Sequence, residues 1–341
     1  MIKTTDTFKA LRIHQTIKYG QSYTYASMDL ISLNELSAGD VVIKVAYSGI
    51  NYKDALAVSG KGKILRKFPL VAGIDLSGVV LSSTDNRFKL GDKVFVCGAL
   101  LSEKYDGGYS EYARIRADAL MPLSKGLSLF EVMAIGTAGY TAALAIERME
   151  NNGQNPKLGD IVVTGASGGV GSFAINMLTQ LGYRITASTR NKKHEDYLIK
   201  LGAKEVITQL NEQHSTNLLG SVRWGGAIDS LGGETLTNII STTCCNGNVA
   251  AIGLAQGVNL ATNVMPFILR GVSLLGINSI EVPTLVRDRV WQRLTNDLKP
   301  TALDIIVKEH ITFDQIMETM SNYFTDTSAG RTVVEIDNTL N

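Results

Sequence analysis

Residues 161–164 form an unbroken run of apolar and β-branched positions with no polar alternation, which predicts a parallel strand covered on both faces. A glycine turn follows. Beyond it, Val170, Phe173, Ala174, Met177, Leu178 and Leu181 recur at helical spacing, so the next segment is predicted as a helix with one face on the sheet. Further apolar runs near 184–188, 205–208, 226–230, 248–252 and 273–277 alternate with helical stretches, and a long helical segment over 129–149 precedes them all. Six strands in this rhythm predict a doubly wound α/β sheet of the Rossmann kind. Before about residue 128 the pattern changes to short β-rich pieces, at 41–46, 78–81 and 93–97, separated by Gly, Asp, Asn and Ser turns. These predict an irregular β-barrel-like unit. The last stretch carries a strand-like piece over 330–336 that can return to the first unit. The expected division is therefore 1–128 with 301–341, and 129–300.

The turn itself carries chemistry. Gly168 and Gly171 occupy the second and third glycine positions of the G-x-G-x-x-G fingerprint, where a side chain would block the pyrophosphate or the helix-to-strand contact, and Ala166 takes the first. The turn from Ser167 through Gly168, Gly169, Val170 and Gly171 opens the helix, whose free N–H groups and dipole would hold phosphates. Flanked by a strand and a helix, the pattern points to a dinucleotide; the alternative is a plain tight turn. An NAD site usually ends its second strand with a carboxylate for the ribose 2′-hydroxyl. Here the strand runs into Ser188-Thr189-Arg190-Asn191-Lys192-Lys193, whose hydroxyls and cations suit a 2′-phosphate. That favours NADPH over NADH, against the alternative of a solvated basic loop. Gly253-Leu254-Ala255 and Ile277-Asn278-Ser279 follow predicted strands at their carboxyl ends, where open α/β sheets bind ligands. Gly253, Leu254 and Asn278 are expected near the nicotinamide half, with Asn278 alternatively capping a turn.

Composition narrows the partners. The chain has 341 residues, enough for two domains, and a formal net charge of +1, so nothing points to nucleic acid or a membrane surface. No apolar run is read as spanning a membrane and no signal pattern is seen, which gives a cytoplasmic expectation. Cys97, Cys244 and Cys245 are too few for a disulfide framework and are read as buried free thiols. The four histidines, His14, His194, His214 and His310, lack the spacing of a metal site, and the surroundings of Ser167 lack the hydrolase elbow. No metal is expected.

Several motifs then occur in one order: Asn51-Tyr52-Lys53-Asp54-Ala55, Gly73-Ile74-Asp75-Leu76-Ser77-Gly78, Gly107-Gly108-Tyr109-Ser110-Glu111, Ile135-Gly136-Thr137-Ala138-Gly139, the glycine turn, and Val264-Met265-Pro266-Phe267-Ile268-Leu269-Arg270. Over nearly the whole chain this resembles the YhdH/YhfP group of quinone oxidoreductases, which includes NADPH-dependent acrylyl-CoA reductases, within the medium-chain dehydrogenase/reductase superfamily. The resemblance implies a GroES-like β-rich catalytic domain followed by the Rossmann domain. Zinc alcohol dehydrogenases of that superfamily place a Cys near the segment matching Asn51 to Asp54 and a His-Glu pair after the glycine matching Gly73. Here Ile74 and Asp75 stand in place of that pair and no Cys lies near Tyr52. Without a Lewis acid, plain carbonyl reduction loses its main aid, whereas conjugate reduction of an enone, enoyl thioester or quinone spreads charge that hydrogen-bond donors can stabilise.

Asn51 and Tyr52 follow an apolar strand and are expected at the cleft between domains, Tyr52 donating to or orienting the substrate oxygen and Asn51 assisting. The alternative is a Tyr52 packed in the first domain with its hydroxyl satisfied by backbone. Lys53 and Asp54 are expected to pair and brace the loop. The resemblance places Thr137 near cofactor and substrate, and Arg331 near the cofactor, the alternative for Arg331 being a surface ion pair. It also implies a homodimer through the late strand at 273–277. The run Lys61-Gly62-Lys63-Ile64-Leu65-Arg66-Lys67 either steers an anionic acyl-CoA or is a solvated loop. The expected function is a zinc-free NADPH-dependent reductase of activated double bonds or quinones acting on a small molecule. Two other readings remain: a zinc-independent alcohol dehydrogenase, and a low-turnover cofactor-binding protein with a structural or RNA-associated role.

Overall fold

Ile161–Thr164 is a strand with all four residues buried, and it lies inside a six-stranded parallel sheet. The computed structural model describes residues 6–208, 210, 219–324 and 328–340. Two units divide the chain: Met1–Thr137 with Val307–Asn341, and Ala138–Ile306.

In the second unit the strand order is Glu205–Ile207, Ile185–Ser188, Ile161–Thr164, Trp224–Asp229, Thr243–Ala251, Ser273–Gly276. That is the 3-2-1-4-5-6 order of a Rossmann sheet. Parallel neighbours need crossovers, and helices such as Gly169–Gln180 and Gly233–Thr242 supply them. Val162, Ala227 and Val249 from three neighbouring strands pack with Leu236, Ile239 and Ile240 of a helix. The strand expected at 248–252 begins earlier, at Thr243. Its first half, with Cys244, Cys245, Asn246 and Gly247, is turn-like in composition and pairs through a register shift, so only the second half shows an apolar pattern. The cysteines are free, but Cys97 and Cys244 are only half-buried and Cys245 is exposed, which corrects the expectation of buried thiols.

In the first unit the order is Val307–Thr312, Arg331–Glu335, Val41–Ile50, Asp75–Ser83, Lys93–Cys97, Met121–Pro122, with Tyr112–Ile115 also on Val41–Ile50. The C-terminal strand pairs antiparallel with Val41–Ile50, with Thr332 opposite Ile50 and Glu335 opposite Tyr47. A second sheet is a long hairpin, Thr7–Lys18 with Gln21–Ser32, joined to Leu70–Val71. Val41, Ile43, Val45, Leu76, Val80, Val94 and Val96 form the core under the main sheet.

Helix Leu129–Asn151 crosses the division between the units. It breaks at Gly136, whose φ of 50° and ψ of −159° are not helical. The sequence-derived boundary at 128 placed this helix wholly in the second unit. Its first half belongs to the first unit, because residues around the break are hydrogen-bonded to Asp75 and Arg331 there. The helix is also long and apolar enough to pass a membrane-spanning test, contrary to the expectation from sequence, but 83% of its most apolar window is buried in the protein. It is a core helix.

Candidate active site

Strand Val41–Ile50 ends where helix Tyr52–Val58 begins, with Asn51 between them at the N-cap. Asp54 turns back from the first turn to accept from the Asn51 backbone N–H at 2.9 Å and from its Nδ2 at 3.1 Å. The reciprocal use of a third-position acid is the capping-box arrangement. The other Asp54 oxygen accepts from the Ile74 N–H at 2.9 Å, which ties this helix to the segment that enters strand Asp75–Ser83.

Asp75 lies at the start of that strand and is fully buried. Its Oδ2 accepts from Asn51 Nδ2 and from the Thr137 backbone N–H, both at 2.9 Å, and its Oδ1 accepts from the Thr137 hydroxyl at 2.5 Å. Gly136 is what makes this possible. Its left-handed φ ends the helical ladder, so the Thr137 N–H turns to Asp75 instead of the carbonyl four residues earlier. A Cβ at Gly136 would meet Asp75 Oδ2 at 2.7 Å and Arg331 Nη2 at 2.8 Å.

The carbonyls orphaned by the break are taken by Arg331. Its Nε donates to Ala134 O at 3.1 Å and Nη2 to Met133 O at 3.4 Å, while Nη1 donates to Ile50 O at 2.6 Å and Asn51 Oδ1 at 2.9 Å. Arg331 is 2% exposed and its Nη2 lies 3.9 Å from Asp75 Oδ2. Of the two buried carboxylates, Asp75 is the one that faces the guanidinium, while Asp54 is held by the N–H groups of Asn51 and Ile74. Burial pushes the Asp54 carboxyl up to about 7, and the charge of Asp75 adds to the rise, while the N–H bonds from Asn51 and Ile74 oppose it. Nearby Tyr109, also buried, donates its hydroxyl to Gly49 O at 3.0 Å.

This geometry revises several expectations. Asn51 gives both amide hydrogens to carboxylates and its oxygen to Arg331, so it holds the loop and has no amide hydrogen left for a substrate. Tyr52 is 48% exposed, stands edge-on to Phe324, and its hydroxyl has no hydrogen-bond partner among the described residues. The packed alternative with a satisfied hydroxyl is overturned. Lys53 and Asp54 do not pair with each other: Lys53 pairs with Glu103, and Asp54 with Asn51 and Ile74. Arg331 is a buried internal donor, not a surface ion-pair partner, because the strand that carries it lies against Val41–Ile50. Thr137 commits its hydroxyl hydrogen to Asp75.

Asp75 and Gly136 were quoted in motifs but given no role in binding the loop, and Asp54 was expected only to pair with Lys53. The signal was there: Asp75 sits between Ile74 and Leu76 in an apolar run, and an acid in such a run requires buried partners. A catalytic zinc does not fit this donor set. Asp75 spends its oxygens on Asn51 and Thr137 beside a guanidinium, and among the described residues no group of three or more His, Cys, Asp or Glu is arranged to hold a metal.

In the second unit, strand Ile161–Thr164 leads through Gly165, Ala166 and Ser167 to helix Gly169–Gln180. The N-cap is Gly168, so no side chain caps the first helical N–H groups, at Gly169, Val170 and Gly171. A Cβ at Gly171 would sit 2.7 Å from the backbone of Ala166 and Gly165, whereas one at Gly168 would approach only Gly165 O, at 3.3 Å. Gly171 therefore serves helix-to-strand packing, and Gly168 leaves the approach to the turn open. Ser167 Oγ lies 3.5 Å from Thr189 Oγ1, which puts the glycine turn beside the end of strand Ile185–Ser188. Ser188 and Thr189 are buried and Arg190, Lys192 and Lys193 exposed. Uncapped N–H groups, two hydroxyls and three cations in one neighbourhood fit a phosphorylated dinucleotide. Gly253 closes on Ser230, where a Cβ would lie 2.5 Å from Ser230 O, and Leu254 is 62% exposed. Asn278 follows the turn-capping alternative, accepting from Ile280 N–H at 3.0 Å and Glu281 N–H at 3.3 Å through its side-chain oxygen.

Comparison with known proteins agrees with this layout. The family model for the alcohol dehydrogenase GroES-like domain matches residues 37–125, and that for the zinc-binding dehydrogenase matches 169–296. The putative quinone oxidoreductase YhfP of Bacillus subtilis is 45% identical over 307 residues, covering 90% of this chain and 93% of its own. The chain belongs to the YhdH/YhfP group of the medium-chain dehydrogenase/reductase superfamily. Within that family, the acrylyl-CoA reductase AcuI of Ruegeria pomeroyi is 41% identical over 303 residues, 88% of this chain and 91% of its own. The crystal structure of Bacillus YhfP with NAD bound has a TM-score of 0.92 at 42% identity, over 97% of this chain and 100% of that one. Escherichia coli YhdH with bound NADPH has a TM-score of 0.90 at 40% identity, over 96% and 100%.

Proposed function

We propose that this protein is a zinc-free, NADPH-dependent reductase that transfers hydride to an activated C=C bond, of the enone or acrylyl-CoA type, or to a quinone. The observation that carries the reading is that Ile74 and Asp75 stand in place of a metal pair, with Asp75 locked to Asn51 and Thr137, and that Asn51 is followed directly by Tyr52, whose hydroxyl has no partner among the described residues. Family membership supports it, since relatives at this level of identity are named for quinone and acrylyl-CoA reduction.

The unit Ala138–Ile306 would hold NADPH, with N–H groups of Gly169, Val170 and Gly171 on the pyrophosphate and Ser188, Thr189, Arg190 and Lys193 on the 2′-phosphate. When bound, the reduced nicotinamide supplies the hydride. The chain's own part is polar positioning. Tyr52 donates to the acceptor oxygen as negative charge builds there, and Asn51, Asp54, Asp75 and Arg331 fix the backbone from which Tyr52 projects. We further propose that the enzyme works in the cytoplasm as a homodimer.

Steady-state NADPH oxidation with a panel of quinones, enones and acrylyl-CoA tests this reading. Turnover of at least one conjugated acceptor without added metal is expected. Absence of turnover with all of them, or activity only on simple alcohols with added zinc, overturns it.

A further inference from the structure

Phe324 links Tyr52 to a cation. Its ring stands edge-on to Tyr52, with centroids 5.8 Å apart and planes at 83°, and the Lys61 ammonium lies 4.3 Å from the centre of the same ring. Tyr323 packs edge-on behind Phe324 at 5.9 Å, and both rings belong to the apolar cluster that includes Leu11, Ala55 and Met320. The loop that carries Lys61 is tied to the helix that Tyr52 begins. Ser59 donates its hydroxyl to Ala55 O at 2.6 Å, and the Gly62 N–H donates to Leu56 O at 3.3 Å. The ammonium is therefore held at a set place beside the candidate acceptor end.

The ring contact separates Lys61 from the other cations around this loop. Lys53 pairs with Glu103, Arg66 lies 3.9 Å from the same carboxylate, and Lys67 donates to Ser37 Oγ at 3.2 Å. Lys61 has no carboxylate within 4.0 Å among the described residues; its contact is the face of a ring. A carboxylate partner would cancel the charge seen from outside, whereas an aromatic face fixes the ammonium and leaves its field available to an anion. Within the basic run read from the sequence, Arg66 approaches a carboxylate, Lys67 bonds a hydroxyl, and Lys61 is seated on an aromatic ring beside Tyr52.

We propose that Lys61, seated on Phe324, is a specificity residue that favours anionic acceptors, in particular acyl thioesters of coenzyme A with their phosphates, over neutral quinones and enones. The proposal rests on the reading of Tyr52 as the acceptor end. Its signature is a difference between two acceptors that share one reacting group: acrylyl-CoA and the acrylyl thioester of N-acetylcysteamine, which has no phosphate.

The test measures kcat/KM for both thioesters and for a neutral quinone, with NADPH, in wild type, Lys61→Gln, Lys61→Arg and Phe324→Leu, at low and high salt. Binding of coenzyme A alone, by calorimetry, gives a readout free of turnover. Lys61→Gln is expected to lower kcat/KM for acrylyl-CoA about tenfold at low salt, chiefly through KM, to weaken coenzyme A binding in parallel, and to leave both neutral acceptors within about twofold. Lys61→Arg should keep wild-type discrimination, Phe324→Leu should lose part of it, and high salt should erase the difference. An equal loss on the neutral thioester, or no loss on acrylyl-CoA and coenzyme A, overturns this proposal while leaving the proposed reductase activity standing. A wild-type protein inactive with all three acceptors would instead overturn the functional reading, and this inference with it.

Discussion

Arg331 Nη1 donates to the side-chain oxygen of Asn51 at 2.9 Å, joining a residue of the last strand to the N-cap of the first α-helix. The same guanidinium holds the carbonyls freed by the break at Gly136, and its Nη2 lies 3.9 Å from the buried Asp75 carboxylate. It is the cation beside Asp75.

Arg331→Met is expected to destabilise the protein by roughly 3–5 kcal/mol, the range for removing one partner of a buried charge cluster. Arg331→Lys should recover little of this, since a lysine has one point of attachment where the fork reaches four oxygens. Urea unfolding at neutral pH checks both variants.

The raised Asp54 carboxyl sets a pH dependence. With a folded value of about 7 against an ordinary 3.8, the folded state keeps a proton that the unfolded chain gives up, so this group's contribution to stability is present at low pH and lost as pH rises toward 7. The slope is at most about 1.4 kcal/mol per pH unit. Asp54→Asn, which cannot ionise, should be less stable than wild type at pH near 5 because an acceptor of the Asn51 and Ile74 N–H groups is altered. That deficit should shrink as the pH is raised. A deficit constant across the range, in paired unfolding curves, would contradict the assignment.

Gly171→Ala places a methyl group 2.7 Å from the backbone of Ala166 and Gly165. The helix has to shift, at a cost of about 1–3 kcal/mol by the usual penalty for overpacking. Because the same helix start is assigned to the pyrophosphate, the NADPH dissociation constant should rise alongside the loss of stability, as fluorescence titration would show.

Arg190→Ala should weaken NADPH binding by about tenfold while changing NADH binding little, the ordinary size of one charge-assisted contact. Comparison of the two dissociation constants in the two proteins checks it. Equal effects on both cofactors would remove Arg190 from the 2′-phosphate.

Tyr52→Phe is expected to slow single-turnover hydride transfer by about a hundredfold, the lower end for loss of a well-placed donor to a developing oxyanion. Stability should be almost unchanged, because the hydroxyl has no partner among the described residues and the ring is half exposed. Stopped-flow absorbance of NADPH with an enone acceptor measures the step.

The Rossmann sheet and its glycine turn were legible because periodicity and glycine spacing are local signals, and both fall within a few residues of Ile161. The first half of strand Thr243–Ala251 was not, since Cys244 to Gly247 lack an apolar pattern and fall in the register shift between the Trp224–Thr243 and Gly226–Asn248 pairs. The acid cluster was harder still. Hydrophobic pattern reports that Asp75 is surrounded by apolar residues, but its satisfaction depends on Asn51, Thr137 and an arginine that lies 280 positions from Asn51. The sequence placed Tyr52 after an apolar strand, but the helix it begins was not read, although the Asn51 to Asp54 spacing is that of a capping box.

The late position of Arg331 has a consequence for biosynthesis. While the chain is still emerging from the ribosome, Asp75 can be enclosed only without the guanidinium that faces it, since Arg331 is made after the entire Ala138–Ile306 segment. The N-terminal portion therefore waits, open or incompletely closed, until translation has nearly finished, and a nascent chain halted before residue 331 should be degraded faster than one halted just beyond it.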